Sequence, residues 1–556
     1  MWILLLSTQH RQNKNNKTTK THNKATRSKS VALAVLALLL TASCADKQND
    51  LGVVLGNSKS TLSSDPGVTL GQRLVNAYSV ANMQAAYDAI HSNGNNGNTV
   101  EVANQFSLQP THKYVRIVVH DTSELTHLLA DTTIALSQYP LDYELIGTGV
   151  YTPNPDSANI IYAVVPYLWN IDSYDYELID DCIIPDDDDE EMQEVEYKSL
   201  EMNGYLKKDE DDRPQRYDGY QPDGYIKVYN TETLQTEGVR NVKVRMQLLV
   251  KIRDVYTSTS GYYYTNSVYY SKKIHFSVMY ENNSSSFKLW DNNFTVLPAS
   301  IYLGKQSSSW YSYTMYTSSA GWRASTVNNA VDIYRQRICN DMELTLPTND
   351  LRIALMHMNS LGWGGCTPMF RHRILNDLSF NEFIGLVGAS SGLALALPDM
   401  FLFSDSTKTC VQYRLLFHEL SHVSHYAQVG GSYWAQFVDD IIANLGYGDS
   451  NSSWLSERVG VSEMWGYFAE GVLENYCWDH YYNGICFNNT YGDTHWFKPQ
   501  ILYTINEEIP SVSAAVILDC LRPNVATFRS FRDGIKRHTH FAHYAHIDYL
   551  FRELCD

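Results

Sequence analysis

Apolar and polar positions change their rhythm along the chain, and the changes divide it into segments. A basic stretch gives way to ten apolar residues, Val31 to Leu40. Residues 45–105 are rich in Ser, Asn and Gly, with one helical pattern around Val75 to Ile90. From Lys113 the pattern tightens: Tyr114 to Val119 and Ile160 to Val165 read as strands, and Ser123 to Ala130 as a helix. Residues 218–297 alternate in strand fashion, as in Gly224 to Tyr229, Val242 to Arg245 and His275 to Val278, with turn residues such as Thr259-Ser260-Gly261 between them. Short alternating strands at this spacing predict a β-sandwich. From about Ala320 the period becomes helical. Asn328 to Asn340, Arg414 to Ala427, Ser432 to Leu445, Ser462 to Asn475 and Pro510 to Cys520 read as helices, some separated by Gly-rich loops such as Gly362-Trp363-Gly364-Gly365.

The expected architecture is therefore α+β and multidomain, since 556 residues exceed one core. Residues 1–43 form a signal peptide, 44–110 a tether, 111–184 a small mixed α/β module and 185–217 an acidic linker. Residues 218–297 form the β-sandwich, and 298–556 a mainly helical domain. The linker assignment rests on Pro185 to Glu191, where six like charges in a row repel and stay solvated. A calcium loop needs spaced ligands and a turning Gly, and this run has neither.

Charge and the first residues give the address. The formal charge is -18, and removing the seven basic residues of positions 1–43 leaves 36 basic against 61 acidic residues, a net -25. Such a surface repels nucleic acid and anionic lipid, which excludes a nucleic-acid role. Ten helical residues span about 15 Å, half a hydrocarbon core, so Val31 to Leu40 is a signal core rather than a membrane span. It ends in Leu40-Thr41-Ala42-Ser43-Cys44, which resembles a bacterial lipobox whose Cys44 becomes the lipidated first residue. The expected location is the outer-membrane surface, held through lipid alone. The competing reading is a plain secretory peptide with an incidental cysteine. Eight cysteines remain and none forms a C-x-x-C pair, so a cysteine zinc site is not expected, whereas some disulfides are. Cys477 and Cys486 could close a short loop.

Candidate chemistry centres on Leu415-Leu416-Phe417-His418-Glu419-Leu420-Ser421-His422-Val423. Four residues are about one helical turn, so His418 and His422 project from one face toward a single cation, while Leu416, Leu420 and Val423 offer an apolar side. Zinc lowers the pKa of a water it holds to about 7, and Glu419, about 100° around the helix from His418, can take that water's proton. The bland alternative is a helix with two satisfied histidines. His425 lies on the same face, but about 10 Å along the axis from His418, too far for one zinc on an unbroken helix. It is expected to support a ligand or face substrate. A third ligand is sought in Gly460-Val461-Ser462-Glu463-Met464-Trp465-Gly466-Tyr467-Phe468-Ala469-Glu470. Glu463 is the preferred ligand. Glu470, on the same face, could replace it or orient a histidine. Asp439, Asp440 and Glu457 are further alternatives. Tyr467, one turn after Glu463, could donate to a tetrahedral oxyanion or simply pack. His538, His540, His543 and His546 could form a second metal site, but a basic surface helix is expected.

These motifs resemble those of the zinc-metallopeptidase lipoproteins of Bacteroidota-type cell surfaces, with the likeness running over roughly residues 110–520. The resemblance implies a gluzincin-like catalytic domain with Zn2+ on His418, His422 and Glu463, acting on peptide or glycoprotein substrates. The sequence departs from thermolysin-like and aminopeptidase-like gluzincins, and from enhancin-like peptidases, because forty residues separate His422 from Glu463. Gly238-Val239-Arg240-Asn241-Val242-Lys243-Val244 looks like the regulatory sandwich found beside carboxypeptidases. That likeness implies a spacer or a glycan contact, with the spacer expected. The alternative function is a non-catalytic glycan-binding or adhesion lipoprotein that keeps the zinc fold as a scaffold. Glu419 beside both histidines favours the enzyme.

Overall fold

The computed structural model describes residues 66–92, 106–206, 219–271, 274–291, 295–306, 309–357, 364–372, 395–443, 456–482 and 495–555. The signal segment, Cys44, most of the expected tether, Gly362, Trp363 and Cys486 lie outside these residues. The fold is mixed α and β, with several sheets and a helical C-terminal region. Among the described residues no helix is long and apolar enough to cross a membrane.

The N-terminal module holds an antiparallel sheet in the order Ala135–Ser137, Ile160–Pro166, His112–Val118, Asp175–Cys182. Helix α1 (Val80–Ser92) and helix α2 (Thr122–Ala130) belong to it, so folded structure begins within the stretch expected as a tether, where Gly67–Arg73 also pairs with Tyr143–Thr148. Asp121 starts α2 by accepting from the backbone N–H groups of Ser123 and Glu124. The acidic run departs from the expected linker: residues Glu190–Met202 form helix α3. Asp189 caps it by accepting from Met192 N, and Glu190 and Glu191 occupy its first turn, where the helix dipole favours negative charge. Its Val195 packs with Met83 and Ala86 of α1. Its Glu196 is buried against Lys251, whose Nζ lies 2.9 Å from both carboxylate oxygens, and accepts from Tyr78 Oη at 2.6 Å. A solvated linker would make none of these contacts.

The expected β-sandwich is likewise not a closed unit. Its strands supply two sheets that share one core. The outer sheet comprises Asp223–Asn230, Gln235–Gly238, Tyr262–Tyr264 and Tyr313–Met315. The larger sheet runs Lys251–Tyr256, Val242–Leu248, Ile274–Asn282, Phe287–Asp291, Leu351–Met356, Met400–Phe403, Gly364–Cys366, with Ser300–Gln306 also paired to Ile274–Asn282. Sheet pairing thus continues across the expected boundary at 297/298, because Phe287–Asp291 pairs in parallel with Leu351–Met356. Met400–Phe403 continues the parallel run, and Gly364–Cys366 closes the edge antiparallel. Leu351–Met356 and Met400–Phe403 are buried at every position, as parallel strands covered on both faces must be.

Helix α4 (Trp322–Ile333), extended by a π-turn at Tyr334–Ile338, packs on Phe287–Asp291 and on helix α5 (Thr409–Val429). Helix α5 ends at Gly430, whose φ of 79° favours glycine and lets the chain turn into helix α6 (Gly431–Ala443). Helix α7 (Glu457–Tyr481) starts on Ser456, which accepts from Val459 N. The remaining helices are α8 (Gln500–Glu508), α9 (Ala514–Asp519), α10 (Phe528–Arg537) and α11 (Tyr544–Cys555). Helices α5 and α7 cross and bury each other. Gln412 to His425 of α5 are buried without a break, so this helix is central rather than a surface helix with one apolar side. Cys182, Cys339, Cys410, Cys477 and Cys520 are buried thiols, and no disulfide joins the described cysteines.

Candidate metal centre

His418 and His422 leave helix α5 one turn apart, and Glu463 leaves helix α7 opposite them. The two Nε2 atoms lie 3.2 Å apart. Glu463 straddles the pair, with Oε2 3.5 Å from His418 Nε2 and Oε1 3.5 Å from His422 Nε2. Tetrahedral zinc with bonds of about 2.0–2.1 Å sets neighbouring donors about 3.3–3.4 Å apart, so the triangle has the right size. Among the described residues this is the one group of His, Cys, Asp and Glu that converges in this way.

The crossing that makes the triangle depends on Gly466. A Cβ there would lie 2.9 Å from His422 Nε2 and 3.0 Å from His418 Cε1. Any other residue would push the imidazoles off their positions. Glu470, one turn further along α7, receives His418 Nδ1 at 3.1 Å on its Oε2. Arg414 Nε lies 3.6 Å from Glu470 Oε1 and 3.0 Å from Glu474 Oε2. The carboxylate fixes the ring so that Nε2 faces Glu463, the arrangement that metal-binding histidines use. Of the two positions open to Glu470, its carboxylate lies against His418 Nδ1 and outside the triangle.

Electrostatics point the same way. Three buried carboxylates, Glu419, Glu463 and Glu470, surround one histidine. Burial alone would lower the His418 pKa, but hydrogen bonds to Glu463 and Glu470 and the charges of Glu419 and Glu463 raise it well above its ordinary value. The cluster therefore draws in positive charge, as a proton or a cation. His422 differs: burial pushes it down to about 3 despite Glu463, so it is a neutral imidazole able to donate a lone pair.

Glu419 sits beside the triangle and outside it. Its Oε2 accepts from Thr367 Oγ1 at 2.7 Å, and a Cβ at Gly365 would meet its Oε1 at 2.5 Å. Edge strand Gly364–Cys366 thus lies directly against the carboxylate. Trp434 Nε1 donates to Thr367 O at 3.0 Å and steadies that strand end. Burial pushes the Glu419 carboxyl up to about 7, while the charge of His418 and the Thr367 hydroxyl pull it down. A group near 7 exchanges protons readily at neutral pH.

Comparison with family models, with curated proteins and with solved structures finds no match.

The other sequence candidates separate cleanly. Tyr467 is buried and sets its ring edge-to-face on His418 at 4.8 Å, with the His495 ring 4.4 Å away. His425 is fully buried against Tyr433 and Trp434, and neither ring nitrogen has a hydrogen-bond partner among the described residues. Burial pushes it to about 3. A buried ring with no exposure is not substrate-facing, and with neither nitrogen bonded to a described residue it holds no ligand in place, so both halves of the expectation are corrected. Asp440 accepts from Ser456 Oγ at 2.9 Å, Glu457 accepts from Phe528 N at 2.8 Å, and Asp439 is exposed. None of the three joins the cluster. The C-terminal histidines scatter, with His546 2.8 Å from Glu508 and His538 3.8 Å from Asp519. Sequence reading missed Arg414, Gly365, Thr367, Gly466 and His495. Gly466 carried a weak signal, a glycine inside a helical pattern, and such a residue commonly marks a close approach.

Proposed function

We propose that the chain is a zinc-dependent peptidase carried on the outer-membrane surface by lipid on Cys44, cleaving peptide or glycoprotein substrates. The observation that carries this reading is the triangle of His418 Nε2, His422 Nε2 and the Glu463 carboxylate with Glu419 alongside. Zinc held by His418, His422 and Glu463 would supply a water acidic enough to act near neutral pH and a Lewis acid for the carbonyl. Glu419 takes the proton of the attacking water and passes it toward the leaving amine, with Thr367 holding one carboxylate oxygen in place. Glu470 and Arg414 keep the His418 ring aligned. Tyr467 lies against His418 within the site and is the candidate to steady the developing oxyanion.

One observation favours the second reading, a non-catalytic glycan-binding lipoprotein with the metal fold as scaffold. His418, Glu419, His422 and Glu463 are all 2–4 % exposed, so a peptide has little open approach through the described residues. Zinc content and peptide turnover measured on one preparation separate the two. Zinc with cleavage that is lost in Glu419→Gln supports the peptidase, zinc without cleavage of any peptide in a diverse library supports the scaffold, and absence of zinc removes both.

A further inference from the structure

The outer sheet turns an unusual face to solvent. Strand Asp223–Asn230 alternates strictly, burying Gly224, Ile226, Val228 and Asn230 and turning Asp223, Tyr225, Lys227 and Tyr229 outward. Register places Tyr262 opposite Tyr225 and Tyr264 opposite Asp223, on the same outward side, while Tyr263 faces inward and is 1 % exposed. On the other flank Trp310 bridges to Asp223. The rings form a strip across the strands: Tyr264 to Tyr262 at 6.3 Å, Tyr262 to Tyr225 at 5.3 Å and Tyr225 to Trp310 at 5.7 Å. Tyr264 and Trp310, its two ends, are 58 % and 52 % exposed.

We infer that this strip is a carbohydrate-binding platform that takes the neutral sugar chains of a glycoprotein. The cross-strand ring pairs add modestly to the sheet, but two rings more than half exposed at the ends of a continuous aromatic strip mark a surface suited to binding. Ring faces suit the apolar C–H faces of pyranose sugars, and polar groups at the rim suit their hydroxyls. Both are present: Tyr262 Oη donates to Asp223 Oδ2 at 3.2 Å, and Lys227 Nζ sits 5.2 Å over the Tyr225 ring. No aliphatic side chain occupies an outward position on Asp223–Asn230 or Tyr262–Tyr264, whereas an amphipathic partner helix needs an aliphatic-lined groove. Charge agrees, because one carboxylate and one ammonium leave the strip neutral on a chain of net charge -18. The glycoprotein source rests on the peptidase reading; the sugar chemistry does not. The strip is also tied to the candidate metal centre. Just past the strand Asp223–Asn230, Thr231 N donates to Thr409 Oγ1 at 3.0 Å and Thr409 N to Thr231 Oγ1 at 2.8 Å, at the start of α5. His418 lies nine residues further, about 14 Å along the helix.

The test is affinity electrophoresis of the full chain carrying Glu419→Gln, so that cleavage cannot intervene. The gels contain an intact O-glycosylated mucin, the same mucin enzymatically deglycosylated, or a free neutral β-glucan. Intact mucin should retard the protein and the deglycosylated polypeptide should not. Trp310→Ala and Tyr264→Ala, at exposed positions, should each weaken retardation about tenfold, the loss expected for one deleted stacking contact. Trp310→Phe keeps a ring and should retain binding. Equal retardation by the bare polypeptide would mean a protein-docking face, retardation by glucan alone would remove the glycoprotein source, and no retardation or full binding by both Ala variants overturns the platform. Binding with no peptide turnover in the unsubstituted protein would sink the peptidase and leave the platform standing.

Discussion

Gly466→Ala isolates the helix crossing from the ligands themselves. In an ordinary helix interior this change stabilises by about 1 kcal/mol, since Ala is the better helix former. Here the new methyl carbon would lie 2.9 Å from His422 Nε2 and 3.0 Å from both His418 Cε1 and His422 Cε1, against an ordinary contact of at least 3.4 Å. The rings must retreat by about half an ångström, or the helices must part by as much. Overpacking of this kind costs about 1–3 kcal/mol, so the net effect on metal-free stability lies between roughly zero and 2 kcal/mol and the fold survives. Metal binding has less tolerance, because half an ångström is the precision a constructed site requires. The expected result is zinc affinity lowered about 10–100-fold, the cost of disturbing ligand support. Competition against a chromophoric chelator, with elemental analysis of the protein as purified, gives the affinity and stoichiometry. Circular dichroism in excess chelator reports the metal-free fold. If Gly466→Ala binds zinc as tightly as the unsubstituted chain, the packing argument is wrong. If the unsubstituted chain holds no zinc, the metal centre itself falls.

The remaining expectations are narrower. Glu419→Gln should keep zinc and fold while turnover drops about a hundredfold or more, because only the proton acceptor is removed; loss of zinc in this variant would make Glu419 structural. Glu470→Ala should lower zinc affinity about 10–100-fold without removing a ligand, and an unchanged affinity would mean that the 3.1 Å contact to His418 does not orient the ring. His275, buried and pushed down to about 3 by burial and then by Lys305, is neutral in the folded state. The unfolded chain binds its proton below about 6.5 and the folded chain only near 3, so stability is lost as pH falls through that window, by up to about 1.4 kcal/mol per pH unit. Urea unfolding of a His275→Gln variant between pH 7.5 and 5 should show a shallower loss than the parent, and parallel curves refute the assignment. Mass spectrometry of the membrane fraction should find Cys44 as a lipid-modified first residue; an unmodified Cys44 or cleavage elsewhere rules the anchor out.

What could be read without a structure was local. His418 and His422 share a face because 3.6 residues make a turn, and that geometry needs no tertiary partner. Alternation marked Gly224 to Tyr229 and His275 to Val278 as strands for the same reason, and they lie within Asp223–Asn230 and Ile274–Asn282. Glu463 was the preferred third ligand in the sequence, with forty residues between it and His422, but nothing in the spacing could separate it from Glu470, because both lie on one face of α7. The crossing at Gly466 made that choice, bringing the first turn to the Nε2 atoms and the later one to His418 Nδ1. The same limit hid Thr367 and Arg414, whose partners Glu419 and Glu474 stand 52 and 60 residues away. It also misplaced the boundary at 297, because the pairing of Phe287–Asp291 with Leu351–Met356 leaves no periodic trace in either segment. A helical or strand period reports one element's own faces. Which faces meet is set by packing between distant segments, and that information enters only when the chain is folded.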